Sequence, residues 1–220
     1  MATTPAKRSY DASRRRERAD EERRATKRRV VDAARRLFVA NGYSSTTMND
    51  IAKEAGVALQ SVYKAGSSKA ELLHVVVEQE VGGDDEDVMV ADRAAFRAIG
   101  EASDPVRQVH LLADAIAAVQ ERSAPVQVAF RQAAAVDADI AANLADAHRR
   151  RLETFTVAIA MIPRKHLRQS WAKSADTAWA VGSAEVFHLL RNVRGWSPAQ
   201  FRTWLRASLV DLLLVPDVTG

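Results

Sequence analysis

The sequence predicts an all-α protein, and three observations carry the prediction. Apolar residues recur at three- and four-residue spacing along nearly the whole chain. Helix caps and stops punctuate that pattern, from Asn41-Gly42 to Pro216. No segment alternates apolar and polar residues in the manner of a half-buried strand. At 220 residues, with 47% hydrophobic and 27% charged residues, the chain has ample material for a core and the composition of a globular protein.

The elements follow in order. Residues 1–24 are rich in Arg, Glu and Ser and nearly lack large apolar side chains, which predicts a disordered basic arm. Val30, Ala33, Ala34, Leu37 and Phe38 mark one face of a helix, and Asn41-Gly42 supplies a left-handed stop. Thr47 caps the next helix, with Asp50 at its third position and Ile51, Ala52 and Ala55 facing inward. Gly56 permits a sharp turn into a short helix at 58–64, where Val57 and Val62 face the core. Ser68-Lys69-Ala70-Glu71 reads as a capping box opening a fourth helix on Leu72, Leu73, Val76 and Val77.

The run 82–87, two glycines and four acids, breaks the pattern and predicts a domain boundary, giving domains at 25–81 and 82–220. Beyond it, Asp104-Pro105 is an N-cap with Pro at the first helical position, opening a helix to about Arg122. Pro125 is expected to open another. Residues 137–162 carry Ile140, Leu144, Leu152, Phe155, Ile159 and Ile162 on one stripe, stopped by Pro163. A helix at 170–192 holds Trp171, Trp179, Gly182, Val186 and Leu189. Ser197-Pro198-Ala199-Gln200 starts the last helix, with Phe201, Trp204, Leu205, Leu209, Leu212 and Leu213, ended by Pro216.

Composition narrows function. The first 29 residues carry 11 Lys/Arg against 5 acids, whereas the rest carries 21 against 23. A basic end on a near-neutral body suits a polyanion touched at one end. With no cysteine, thiolate metal sites, cysteine nucleophiles and thiol switches are excluded. The N-terminus lacks the apolar core of a secretory signal, and no apolar run approaches the roughly 18 residues of a membrane helix. A cytoplasmic protein without a membrane partner is expected.

Two short helices joined by a glycine turn form a helix-turn-helix, whose second helix enters the major groove of DNA. On that helix Gln60 can read adenine, Ser61 either kind of base, and Leu59 a thymine methyl. Lys64 and the Tyr63 hydroxyl suit phosphates, as do Thr47 at a helix N-terminus and Lys69 in the first turn of the fourth helix.

The set Ala33-Ala34, Leu37-Phe38, Gly42-Tyr43, Thr46-Thr47, Ile51-Ala52, Ala55-Gly56-Val57, Tyr63, Ser68-Lys69 and Leu72-Leu73 resembles the DNA-binding domain of the tetracycline-repressor (TetR) family of bacterial transcription regulators. The resemblance covers about the first third of the chain, and the all-helical remainder is similar in length. It implies a homodimer whose second domain binds a small effector and releases DNA. One position departs: three residues after Tyr63 the family usually has an aromatic, and this chain has Gly66.

The second domain gives weaker signals. His148 lies on the apolar stripe of Ile140, Leu144, Leu152 and Phe155, and a polar group facing a core needs a partner. With His110, Phe130, Phe155 and Trp179 it is a candidate wall for an apolar or aromatic effector. Gly182, Val186, Phe201, Leu205, Leu209 and Leu212 are candidates for the dimer interface, because that stripe is wide enough to serve two neighbours. Glu185 and His188 have the spacing of half a di-iron carboxylate site, but a second copy is absent. No metal, cofactor or catalytic residue is therefore expected. The reading is a homodimeric, effector-released repressor acting on a palindromic double-stranded operator. Its rivals are an architectural DNA-binding protein without an effector and an all-α metal-dependent enzyme.

Overall fold

A computed structural model describes residues 6–83 and 93–216. The chain divides between Val76 and Val77 into two compact units. All described elements are helical apart from one isolated bridge between Leu167 and Leu214.

The first unit is built on α1, Ala6–Asn41. From residue 14 on, its first buried residue is Val30, followed by Val31, Ala33, Ala34 and Phe38. The helix nevertheless begins at Ala6, so the expected disordered arm is helical from that residue on. Arg and Glu are good helix formers, and Arg23 pairs with Asp20 one turn back, so the run needs no core to favour a helix over coil. Residues 1–5 of the expected arm lie outside the described residues.

Two further helices, α2 (Met48–Ala55) and α3 (Leu59–Ala65), both pack on α1. Then α4, Lys69–Gly82, buries Leu72, Leu73, Val76 and Val77. It runs past the expected boundary at 81/82, and the compact unit ends earlier, at Val76. Most of the acidic run at 82–87 lies outside the described residues.

The second unit holds α5 (Ala94–Glu101), α6 (Pro105–Ala134), α7 (Ala138–Ala160), α8 (Trp171–Val181), α9 (Ala184–His188) and α10 (Pro198–Leu213). The central α6 packs against α5, α7, α9 and α10. The buried Gln108 ties three elements by donating to the carbonyls of Ile99 (3.0 Å) and Met161 (3.1 Å). The bridge holds the chain end: Arg168 N–H donates to Leu213 O, and Val215 N–H to His166 O.

Two expectations for this unit change, and one helix was not foreseen. The helix opened by Asp104 does not stop near Arg122, because α6 runs through Pro125 to Ala134. A proline removes one backbone donor and strains the preceding turn. Here side chains hold the segment: Ser123 donates to Val119 O, Gln127 to Ser123 Oγ, and Gln120 to Gly182 O. The helix expected at 170–192 is broken at Gly182, where a Cβ would stand 2.9 Å from the Ile116 side chain. Ser183 then caps α9, which relaxes into one π turn, Leu189–Val193. The periodicity also gave no sign of α5, which opens at Arg93 without a side-chain cap.

Candidate nucleic-acid interface

The first unit places α3 by short-range chemistry. Gly56 adopts φ 61°, ψ 43°, a left-handed conformation that suits glycine. Its N–H donates to Lys53 O, and the Val57 N–H to Ala52 O, closing the end of α2. Arg29 reaches across from α1 and donates to the carbonyls of Ala55 (2.6 Å) and Gly56 (2.8 Å). A guanidinium on the last carbonyls of a helix is charge-assisted and also favoured by the helix dipole. The turn between the two short helices is thus pinned to α1. Arg29 was not singled out from sequence, because nothing local distinguishes it among the arginines around it.

On α3, Val62 and Ala65 are buried. Leu59, Gln60, Tyr63 and Lys64 are exposed and Ser61 is half-buried, so the five candidates on this helix share its outward side. Tyr63 is 48% exposed, a large value for an aromatic without a protein neighbour to cover it.

The other two candidates are differently engaged. Thr47 and Asp50 form a reciprocal capping box: Asp50 N–H donates to Thr47 Oγ1, and the Thr47 N–H and hydroxyl both donate to the Asp50 carboxylate. Those bonds hold the Asp50 carboxyl below its usual range, the Thr47 hydroxyl being the larger cause and its N–H the next. The Thr47 amide and hydroxyl, expected to meet a phosphate, are already occupied by an internal anion. Lys69 turns inward, donating to Tyr43 O at 2.9 Å with its ammonium 4.1 Å from the centre of the Tyr43 ring. It joins α4 to the loop ahead of α2.

Gly66 ends α3, its N–H donating to Val62 O. A Cβ there would lie 2.8 Å from the Leu72 backbone, so α4 itself fills the place of a side chain at this position. The capping box at the start of α4 is shifted by one residue. Glu71 N–H donates to Ser68 Oγ, while the Glu71 carboxylate accepts from Ser67 rather than Ser68.

In the second unit three of the five pocket candidates come together. The His148 and Trp179 rings meet edge-on at 5.8 Å. Arg151 lies over Phe155 and Trp179, at 4.8 and 5.4 Å, and donates to Trp179 O at 2.6 Å. Burial lowers the Arg151 pKa to about 10, against the opposing pull of Glu185. Arg151 was overlooked in the sequence, although it falls on the 148–152–155 stripe. Glu185 pairs with Arg131 at 2.8 Å. Burial pushes its carboxyl up, but its own backbone N–H, Arg131 and His148 outweigh that and hold it below the usual range. No group of three or more potential metal ligands occurs among the described residues.

His110 and Phe130 do not join one pocket wall. Both lie on α6, and about 20 residues of helix separate them by about 30 Å. The dimer candidates also divide. Phe201, Leu205 and Leu209 are fully buried in their own unit, and Gly182 abuts Ile116 of the same chain. The wide stripe of the last helix faces this protomer's core because α6 packs along it, with Arg206 of α10 bonded to Asp114 of α6. Val186 is half-buried and Leu212 is 44% exposed.

Residues 30–76 match the family model described as bacterial regulatory proteins, tetR family. The HTH-type transcriptional regulator SrpR of Pseudomonas putida is 42% identical over 52 residues, 24% of this chain and 24% of that protein. The HTH-type transcriptional regulator TtgR of the same species is 36% identical over 61 residues, 28% of this chain and 29% of that protein. Such matches span about a quarter of these curated relatives. Two solved structures extend the likeness of fold to most of the chain. NalD, the secondary repressor of the MexAB-OprM multidrug efflux pump in Pseudomonas aeruginosa, superposes with a TM-score of 0.67 at 19% identity, covering 89% of this chain and 99% of that one. FadR from Bacillus subtilis in complex with stearoyl-CoA gives 0.63 at 16%, covering 83% and 96%.

Proposed function

The chain belongs to the tetR family of bacterial regulatory proteins, and from that premise we propose that it is a homodimeric repressor, released from a palindromic operator by a small molecule. The carrying observation is the outward side of α3, where Gln60, Tyr63 and Lys64 are exposed on a helix pinned by Gly56 and Arg29. Gln60 and Ser61 read base edges, Leu59 meets a thymine methyl, and Tyr63 and Lys64 hold phosphates. Thr47 and Lys69 serve instead to fix α2 and α4. Such a protein works on chromosomal DNA in the cytoplasm.

Two copies join through the exposed apolar side chains of the last elements: Leu212 on α10, with Leu189 (55% exposed) and Val193 (64%) on the π turn. Such residues on consecutive elements favour a partner over solvent. The effector is apolar or aromatic and enters between α7 and α8 around His148, Phe155 and Trp179. It acts by population shift, favouring a spacing of the two α3 helices that no longer matches successive major grooves.

The test is recovery and sequencing of genomic fragments bound by the purified full chain. A palindromic motif with half-sites about one helical turn apart is expected. Fragments enriched no further than the input would refute operator binding. Compounds chosen from the neighbouring gene would then be screened for loss of operator affinity.

A further inference from the structure

The helix α1 starts about 24 residues, or about 36 Å, ahead of Val30, the first buried residue from position 14 on. Its last turns before the core do not stand alone. They flank α3 across an open cleft of about 570 Å³, lined by Glu22, Arg23, Arg24 and Lys27 on one side and Ser61 and Lys64 on the other. Cleft residues 19, 22, 23, 26 and 27 follow helical spacing, so one face of α1 looks onto the reading helix.

We propose that this cleft holds one sugar-phosphate strand of the DNA whose major groove α3 enters, so that the α1 extension is a second, rigid DNA-binding element. The inference rests on the DNA-reading role of α3 proposed above. A helix in the major groove is bordered by the two backbones that form the groove's lips. Lys64, the phosphate-holding residue of α3, lines the cleft, so the strand beside it is such a lip. Arg23, Arg24 and Lys27 face it from the opposite wall. Glu22 subtracts from the positive field. Arg23 is paired with Asp20, but both side chains are exposed, and a surface pair of that kind is weak enough to be exchanged for a phosphate. Farther out, Arg15, Arg16 and Arg18 are exposed about 14–18 Å beyond Lys27 along the helix, placed to follow the same duplex outward.

The experiment uses the full chain and two probes: a duplex carrying the operator recovered from the genome, and a scrambled duplex of equal length. Arg23→Ala/Arg24→Ala/Lys27→Ala should weaken both duplexes alike, by at least about tenfold at low salt. It should lower the slope of log affinity against log salt by about 2.7 per half-site, since each of the three lost phosphate contacts removes about 0.9. Hydroxyl-radical footprints should lose protection at the outer edge of each half-site while the centre stays protected. Glu22→Gln should strengthen binding to both. All four positions are exposed, and an unchanged circular dichroism spectrum checks the fold. A triple variant with wild-type slope and footprint would overturn the clamp while leaving the role of α3 intact. A full chain that binds neither duplex would overturn the regulatory reading itself, and the clamp with it.

Discussion

Gly66→Ala adds one methyl group where there is no room for it. The Cβ would stand 2.8 Å from both Cα and N of Leu72 and 2.9 Å from its Cβ. Two of those atoms are backbone in the first turn of α4, so no rotamer change relieves the contact. The backbone at Gly66 is extended, φ −161°, which any residue adopts, so the penalty is steric. Overpacking of this kind costs about 1–3 kcal/mol, and the stiffer unfolded chain returns about 0.4–1 kcal/mol. A net loss of about 1–2 kcal/mol follows, and Gly66→Phe, restoring the aromatic the family usually has, should lose more. Gly42 is the control. It has φ +78° and nothing within 4 Å of a Cβ, so its penalty is conformational, and Asn, which tolerates a left-handed backbone, should be accepted there but not at Gly66. The assay is urea unfolding followed in parallel by circular dichroism and tryptophan fluorescence. All four tryptophans, 171, 179, 196 and 204, lie in the second unit, so the fluorescence midpoint should hold while the dichroism transition moves. A Gly66→Ala protein unfolding at the wild-type midpoint by both signals would refute the packing argument.

Gln60→Ala should relax preference at one or two operator positions, costing about 1–3 kcal/mol there, whereas Lys64→Ala weakens all sequences alike; binding to a panel of single-base operator variants separates the two. Leu212→Arg should yield a folded monomer by sedimentation, and Leu209→Arg, placing a charge at a fully buried site, should not fold; a dimeric Leu212→Arg would remove that face from the interface. The Asp50 carboxyl has a folded pKa below its unfolded value, so its contribution is present above about pH 4 and is lost as the pH falls through the lowered folded value. Asp50→Asn should therefore flatten part of the acid limb in dichroism-monitored unfolding between about pH 2 and 5, and an unaltered limb would count against the Thr47–Asp50 box.

What was legible in the sequence was mostly local. The Thr47–Asp50 box, the Gly56 turn, the Asp104-Pro105 cap and the Ser197–Gln200 box depend on residues within four positions of one another, and the structure has each of them. What was not legible depended on distant neighbours. Periodicity marks Phe201, Leu205 and Leu209 as buried but does not say against what, and α6 of the same chain is the answer. Pro125 reads as a helix start, yet side-chain hydrogen bonds of Ser123 and Gln127 carry α6 through it. Arg151 reads as a surface residue until the rings of Phe155 and Trp179 are seen beneath it. A capping motif places a side chain on a phosphate only if nothing nearer competes, and at Thr47 Asp50 does.

The length of α1 ahead of Val30 also bears on how such a protein changes over generations. From residue 14 to residue 28 only Thr26 is even half-covered, so substitutions there disturb no buried packing. Each one alters charge at a surface while the folded units keep their stability. Most mutations in a core are purged for the damage they do to folding, and this stretch escapes that filter. Drift along a single exposed helix can thus strengthen, weaken or shift affinity for nucleic acid in small steps, while the outward side of α3 stays as it is.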